Sequence, residues 1–364
     1  MNDAAVVDLL RGMVEIESVS GDEGPVARWL VDRMARLGFD ARVDGAGNAV
    51  GVRAGAPPDD GRWRDVVLLG HIDTVPGRIP VRLEDGVLHG RGTVDAKGPF
   101  ATFVAAATRT TPPPGVRIHV IGAVEEEAAT SKGARHVLET LRPELCLIGE
   151  PSGADALTLG YKGRVLFDAM LRQPGGHSAG PVGSVAERAC RWWGRVERHA
   201  AAFNEGVDAL FDRLMPSLRS IATSSDGLHD EARLTCGFRL PPAFDVDALE
   251  RALRSFDEEV RLVRSGEEPA WSDGRSSPWA RAFTRAWRKR GATPRFKRKT
   301  GTSDLNVLGP AWRCPIAAYG PGDSTLDHTP EERIEVAELL RAVEVLEDAL
   351  AEVGAAEIEE RIVR

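Results

Sequence analysis

Val66-Val67-Leu68-Leu69-Gly70-His71-Ile72-Asp73-Thr74-Val75-Pro76 decides how the rest of the chain is read. Four apolar residues run into Gly70, and a His and an Asp follow two positions apart. That is a buried strand with polar side chains at its carboxyl end. Two further stretches share the plan. Ile118-His119-Val120-Ile121 leads to Glu125-Glu126-Glu127, and Leu145-Cys146-Leu147-Ile148 leads to Gly149-Glu150-Pro151. Helical stretches over residues 100–108 and 134–141 lie between them. Buried strands alternating with helices predict an α/β fold, a mostly parallel sheet with helices on both faces. In such a sheet ligands bind at the carboxyl ends of the strands, so the polar clusters can converge on one cleft.

Outward from this core, residues 6–14 and 25–37 read as amphipathic helices, the second ending near Gly38. Beyond residue 160 the pattern changes. Residues 164–171 and 233–240 read as half-exposed strands, with helices over 185–205 and 246–263. Two strands and two helices predict a smaller inserted α+β domain. Residues 265–277, rich in Gly, Ser, Pro and acids, read as the return linker. A helix over 278–290, a strand near 315–319 and a long helix from about residue 330 complete the chain. The expected division is a catalytic domain of residues 1–160 and 273–364 around an inserted domain of residues 161–272.

With 42 % apolar and 28 % charged residues, disorder and coiled coil are excluded. No apolar run approaches the ~20 residues that cross a bilayer, so no membrane partner is expected. Met1-Asn2-Asp3-Ala4 shows no basic stretch leading into an apolar one, which predicts a cytoplasmic protein. Cys146, Cys190, Cys236 and Cys314 lie far apart and read as buried structural thiols. The net charge of −8 argues against nucleic acid as a partner, since phosphate contacts need basic surface.

Two more clusters carry chemistry. Gly90-Arg91-Gly92-Thr93-Val94-Asp95-Ala96-Lys97-Gly98 precedes the helix at 100–108, and Asp327-His328-Thr329-Pro330-Glu331-Glu332 lies near the end. Each piece has a bland reading: a lone His after a strand is usually a hydrogen-bonded surface residue, and three Glu are usually a solvated helix start. Together at strand ends they form a set of two His and several carboxylates that zinc accepts, with a carboxylate able to bridge two ions. Carboxylates this dense repel one another unless cations neutralise them.

The order and spacing of these clusters resemble the dinuclear-zinc aminoacylase and carboxypeptidase family, which includes acetylornithine deacetylase and succinyl-diaminopimelate desuccinylase. The resemblance implies two Zn2+ per subunit, with Co2+ able to substitute. His71 and Glu150 would complete one site, Glu127 and His328 the other, and Asp95 would bridge them. Asp73 would orient His71. Gly133 falls six residues after Glu127, which places Glu126 at the family's general-base position. The implied mechanism is metal-assisted amide hydrolysis, in which Glu126 takes a proton from water and delivers it to the leaving amine. Gly175-Gly176-His177-Ser178 resembles a family motif whose His reaches the neighbouring subunit's active site, implying a homodimer through the inserted domain. Arg239 matches an Arg that holds a substrate carboxylate, and Gly301-Thr302-Ser303-Asp304 matches a substrate loop. One departure stands out: many relatives carry an Asn upstream of that Arg, where this chain reads Leu228-His229-Asp230-Glu231.

Asp95-Ala96-Lys97-Gly98-Pro99 and Gly160-Tyr161-Lys162-Gly163-Arg164 look like the branch that releases lysine or ornithine from an acidic amino-group carrier protein. There the amino acid's α-amine is joined to the side-chain carboxyl of the carrier's C-terminal Glu, and the hydrolysis is the last step of lysine biosynthesis through aminoadipate. Residues 285–299 hold eight basic residues and no acid, a local field able to steer an acidic partner or simply a solvated face. The alternatives are a small-molecule deacylase or dipeptidase with the same metal site, and a non-catalytic metal-binding homologue. A scaffold has no use for a general base, which argues against the last.

Overall fold

The computed structural model describes residues 1–59, 61–177 and 183–362. The chain divides into two compact units, one of Met1–Gly160, Ser272–Arg298 and Ser303–Arg364, the other of Tyr161–Trp271 and Lys299–Thr302.

In the first unit, strands Val116–Ala123, Arg64–His71, Leu145–Gly149 and Ile316–Tyr319 lie side by side in parallel. Asp40–Val43 and Ala49–Ala54 extend one flank and Ala156–Tyr161 the other, all antiparallel. The predicted α/β sheet is therefore present, parallel at its centre and antiparallel at its flanks. Helix Asp3–Glu15 is opened by Asn2, whose side chain accepts the Ala5 N–H at 2.9 Å. Helix Gly24–Arg36 stops before Gly38, whose positive φ of 87° suits a residue without Cβ.

One device in the sheet places the site. Gly70, Gly122 and Gly149 face one another in register across three strands. A Cβ on Gly122 would come within 3.1 Å of the Phe100 ring, and one on Gly149 within 3.1 Å of Phe103. The missing side chains let helix Lys97–Arg109 sit directly on the sheet. Phe100 and Phe103 are fully buried there, each contributing about 1.5–3 kcal/mol. Asp95 stands two residues before that helix, so close packing sets it beside the strand ends.

In the second unit, Met215–Ser225, His229–Leu240, Gly163–Pro174 and Arg261–Glu268 form an antiparallel sheet in that order. Val165, Phe167, Ala169 and Leu171 pack on one face against helices Val185–Phe203 and Val246–Ser255. Alternate residues, Arg164 and Leu166 among them, leave the opposite face.

Several expectations are corrected. The helix read over 246–263 ends at Ser255, and residues 261–268 are strand, where the end of that helix and the start of the 265–277 linker were expected. That strand lies at a sheet edge with charged residues on both faces, so it lacks the apolar alternation that marks a half-buried strand. Met215–Ser225 gave no signal because it too is an edge strand, made largely of exposed small polar residues. The last helix begins at Val336, because Arg333–Glu335 pairs with Val87–His89. Of the four thiols only Cys146 and Cys236 are buried; Cys190 is exposed and Cys314 half-buried. Among the described residues no helix is long and apolar enough to cross a membrane.

Candidate metal centre

His71 closes strand Arg64–His71 and is almost wholly buried. Its Nδ1 lies 3.0 Å from the Asp73 carbonyl oxygen and 3.5 Å from Asp73 Oδ1, and its Nε2 lies 3.1 Å from Asp95 Oδ1. The other Asp95 oxygen, Oδ2, is 3.0 Å from His328 Nε2, which is 2.9 Å from Glu127 Oε1. A single carboxylate thus spans two imidazoles that come from opposite ends of the chain.

Asp73, fully buried, locks the neighbouring loop. Its carboxylate accepts the backbone N–H groups of Glu126 at 3.1 Å and Glu127 at 3.0 Å, and the Ser20 hydroxyl at 2.7 Å. The Glu triplet is not a helix start: the helix begins only at Lys132, and Glu125 takes a left-handed φ of 58°. Asn48 Oδ1 accepts the Val124 N–H and Glu23 Oε1 the Glu125 N–H, fixing that turn. Glu150, also buried, follows strand Leu145–Gly149 directly.

The electrostatics follow from this crowding. Burial pushes the Glu126 carboxyl well above the usual range, and the carboxylates of Glu150, Asp304 and Glu127 push it further while His71 opposes them. Burial also raises Glu127, against the hydrogen bond to His328. Asp95 goes the other way: despite burial, His328 and His71 hold it below the usual carboxylate range. Hydrogen bonds to Asp95 and Glu127 push His328 up to about 10. Each of these imidazoles shares its proton with acceptor oxygens, the place a divalent cation takes when such ligands deprotonate. One ligand atom each from His71, Asp95 and Glu127 lies within 4.8 Å of the others. Two imidazole nitrogens with several carboxylate oxygens suit zinc and similar ions.

Sequence reading missed the groups that hold this loop in place. Glu332, 1 % exposed, accepts the N–H groups of Gly92 at 2.9 Å, Val94 at 3.0 Å and Asp95 at 3.1 Å on one oxygen, and pairs with Arg91 at 2.8 Å through the other. Its signal was present in Asp327-His328-Thr329-Pro330-Glu331-Glu332, but one buried Glu beside an exposed one looks like surface charge. Lys97 is equally hidden. Its Nζ donates to the carbonyls of Met13 and Ile16 at the end of the first helix, and burial brings it down to about 8.

The second unit holds the other expected residues. Arg239 Nη1 donates to Thr302 Oγ1 at 3.1 Å, with Gly301 adjoining Thr302 in the chain. Ser303, in the first unit, caps helix Asp304–Trp312 in a capping box with Asn306. His177 is exposed in the stretch following strand Gly163–Pro174, and Ser178 lies outside the described residues. The basic stretch is less free than its composition implied. Arg285 pairs with Glu352, Lys289 with Asp348 at 2.6 Å, and Arg290 with both Glu344 and Asp348 of the last helix. Arg288 is exposed, while in strand Arg295–Lys299 Arg295 reaches Asp155 at 4.0 Å and Lys297 donates to the Ser152 carbonyl at 2.7 Å.

This fold and site define a metal-dependent hydrolase: the chain belongs to Peptidase family M20/M25/M40, whose model matches residues 67–352. It is 48 % identical to a Deinococcus radiodurans protein named LysW-lysine hydrolase, over 95 % of this chain and 96 % of that one. It is 40 % identical to a Thermococcus kodakarensis protein named putative LysW-lysine/LysW-ornithine hydrolase, over 96 % and 92 % of the two chains. Among solved structures, the aminopeptidase PepT of Bacillus cereus superposes with a TM-score of 0.77, covering 97 % of this chain and 99 % of that one at 18 % identity. The metallo-carboxypeptidase Sso-CP2 of Sulfolobus solfataricus gives 0.76 over 97 % and 100 % at 14 % identity.

Proposed function

We propose that the protein hydrolyses the amide joining lysine, or ornithine, to the side chain of the C-terminal Glu of an acidic carrier protein. The observation that carries the substrate assignment is the 48 % identity to the Deinococcus LysW-lysine hydrolase, sustained over nearly both chains. The metal centre supplies the chemistry. His71 and Glu150 with Asp95 would hold one ion, and Glu127 and His328 with Asp95 the other; zinc fits, and cobalt would substitute. Two such ions supply positive charge that acidifies water and polarises the scissile carbonyl. Glu126, with its proton affinity raised by burial, takes a proton from the attacking water and hands it to the amine as the C–N bond breaks. Asp73 fixes the His71 ring and the Glu126 backbone together. Arg239 takes a substrate carboxylate with its planar fork.

His177 is assigned to the oxyanion of a neighbouring active site, in a homodimer formed through residues 161–272. Mixing His177→Ala with Glu126→Gln should then restore some activity, because a mixed dimer holds one intact site. No recovery after verified subunit exchange would remove this assignment. Exposed cations in residues 285–299 are assigned to docking the carrier, and the protein is assigned to the cytoplasm.

The direct test incubates the metal-loaded protein with carrier-linked lysine and follows the intact mass of the carrier. Free lysine should appear, and a chelator or Glu126→Gln should stop it. A conjugate left whole by fully metal-loaded enzyme would overturn the reading.

A further inference from the structure

Three arginines on the open face of the second unit's sheet hold more positive charge than the fold itself neutralises. Arg164 and Arg239 are register partners on adjacent strands, so their side chains leave the same face. Arg219 sits at the register break between Leu218 and Ser220, where a bulge re-aims a side chain. Its guanidinium lies over Gly237: a Cβ built there would meet Arg219 Nε at 2.8 Å. Gly237 is two residues from Arg239 on one strand and therefore shares its face. The three cations converge.

Like charges facing each other across strands are destabilising unless an anion joins them. Among the described residues none of the three forms an ion pair with a carboxylate. Arg239 donates to Thr302, and the buried Nε of Arg164 has no acceptor. Glu268 is the register partner of Arg164 on its other side. Asp168, the next acid along this face, accepts a hydrogen bond from Thr235 at 2.8 Å. Burial, then the charges of Arg219 and Arg164, lower the proton affinity of Arg239, so the cations feel one another. Guanidinium groups gathered without an anion of their own are suited to one that arrives with a ligand.

We propose that Arg164 and Arg219 bind a second substrate carboxylate, beside the one taken by Arg239. The inference rests on the substrate reading above. When the α-amine of lysine is joined to the side-chain carboxyl of a C-terminal Glu, each half keeps a free α-carboxylate, and the two flank the scissile bond. One bidentate Arg satisfies one carboxylate; the cluster provides for two. An acetylated amino acid carries only one. Arg164 and Arg219 are thus specificity-determining residues that select a dicarboxylate linkage.

The test uses two small amides of the full-length, metal-loaded protein's substrate type: glutamate joined through its side chain to the lysine α-amine, and the same compound with the glutamate α-carboxylate converted to a carboxamide. Calorimetry on proteins that also carry Glu126→Gln, which stops turnover, gives Kd for each, and turnover without that change gives KM and kcat. Wild type should bind the dicarboxylate at least about tenfold tighter, the cost of leaving a charged hydrogen-bond partner unmatched. Arg164→Gln combined with Arg219→Gln should erase that preference, raising KM for the dicarboxylate with a smaller change in kcat. Gly237→Ala, whose methyl group displaces the Arg219 guanidinium, should weaken the preference partway and covers the case in which the double variant misfolds. Equal binding of the two compounds by wild type, or a preference that survives in these variants, would overturn the proposal. If the preference appears and vanishes as expected while neither compound is cleaved, the arginine site stands and the hydrolase reading falls.

Discussion

Replacing Glu332 with Ala removes one buried carboxylate and strands four donors: the N–H groups of Gly92, Val94 and Asp95, and the Arg91 guanidinium. Each buried amide left without an acceptor costs about 1–3 kcal/mol, and unpairing a buried ion partner about 3–5 kcal/mol. The Arg91 side chain is 13 % exposed and can turn partly toward water, and the loop can relax. A loss near 4 kcal/mol is therefore expected rather than the full sum. Glu332→Gln keeps one oxygen for the three amides but sets an NH2 group against Arg91, so it should lose about half as much. Urea unfolding of the apo protein reads the stability. Metal content and KM read the loop, because the same amides hold Asp95. Both variants should bind metal more weakly, the Ala variant more so. If Glu332→Ala unfolded within 1 kcal/mol of wild type and kept its full metal complement, the idea that this carboxylate positions the Asp95 loop would be wrong.

Other predictions separate neighbouring roles. Glu126→Gln should cut kcat by roughly 10²–10⁴-fold with metal content unchanged, whereas Glu127→Gln should lose metal; the opposite pattern would exchange the two assignments. Burial alone would raise the Asp65 carboxyl, but hydrogen bonds from His119 and Arg117 bring it down to about 2. A folded-state value below the unfolded one stabilises the fold above about pH 4, and that contribution fades as pH falls toward 2. With solvent screening it amounts to about 1 kcal/mol, so Asp65→Asn should lower Tm at neutral pH and approach wild type near pH 2. Reversing Arg288, and Arg295 whose contact to Asp155 is long at 4.0 Å, should raise KM for carrier-linked lysine in a salt-dependent way. Acetyl-lysine turnover should not change, and equal losses on both substrates would point to a damaged fold instead.

Sequence reading found the centre of the fold because Val66-Val67-Leu68-Leu69 and its two neighbours are buried on both faces and so read as continuous apolar runs. It missed Met215–Ser225 and Arg261–Glu268 because edge strands bury little and carry no such period. In the site, residues that bear chemistry were visible as unusual types at strand ends. Residues that hold them were not: Asn48, Glu23 and Glu332 act through backbone N–H groups, and Ser20 through the Asp73 carboxylate, all brought near only by folding. The basic stretch at 285–299 shows the converse. Its charge was legible, but the acids of the last helix that neutralise part of it lie some fifty to seventy residues away in sequence. The convergence of Arg219 with Arg164 and Arg239 depends on a bulge and a glycine, and neither has a sequence signature of its own.

Whether the metal site spanned by Asp95 serves a carrier-linked amide is decided by kcat/KM for carrier-linked lysine, carrier-linked ornithine and acetyl-lysine, measured in parallel on one metal-loaded preparation. At least one carrier-linked substrate should exceed acetyl-lysine by more than about tenfold, since the small amide lacks both the second carboxylate and the docking charge. Acetyl-lysine cleaved as well as either conjugate would instead make the protein a small-molecule deacylase.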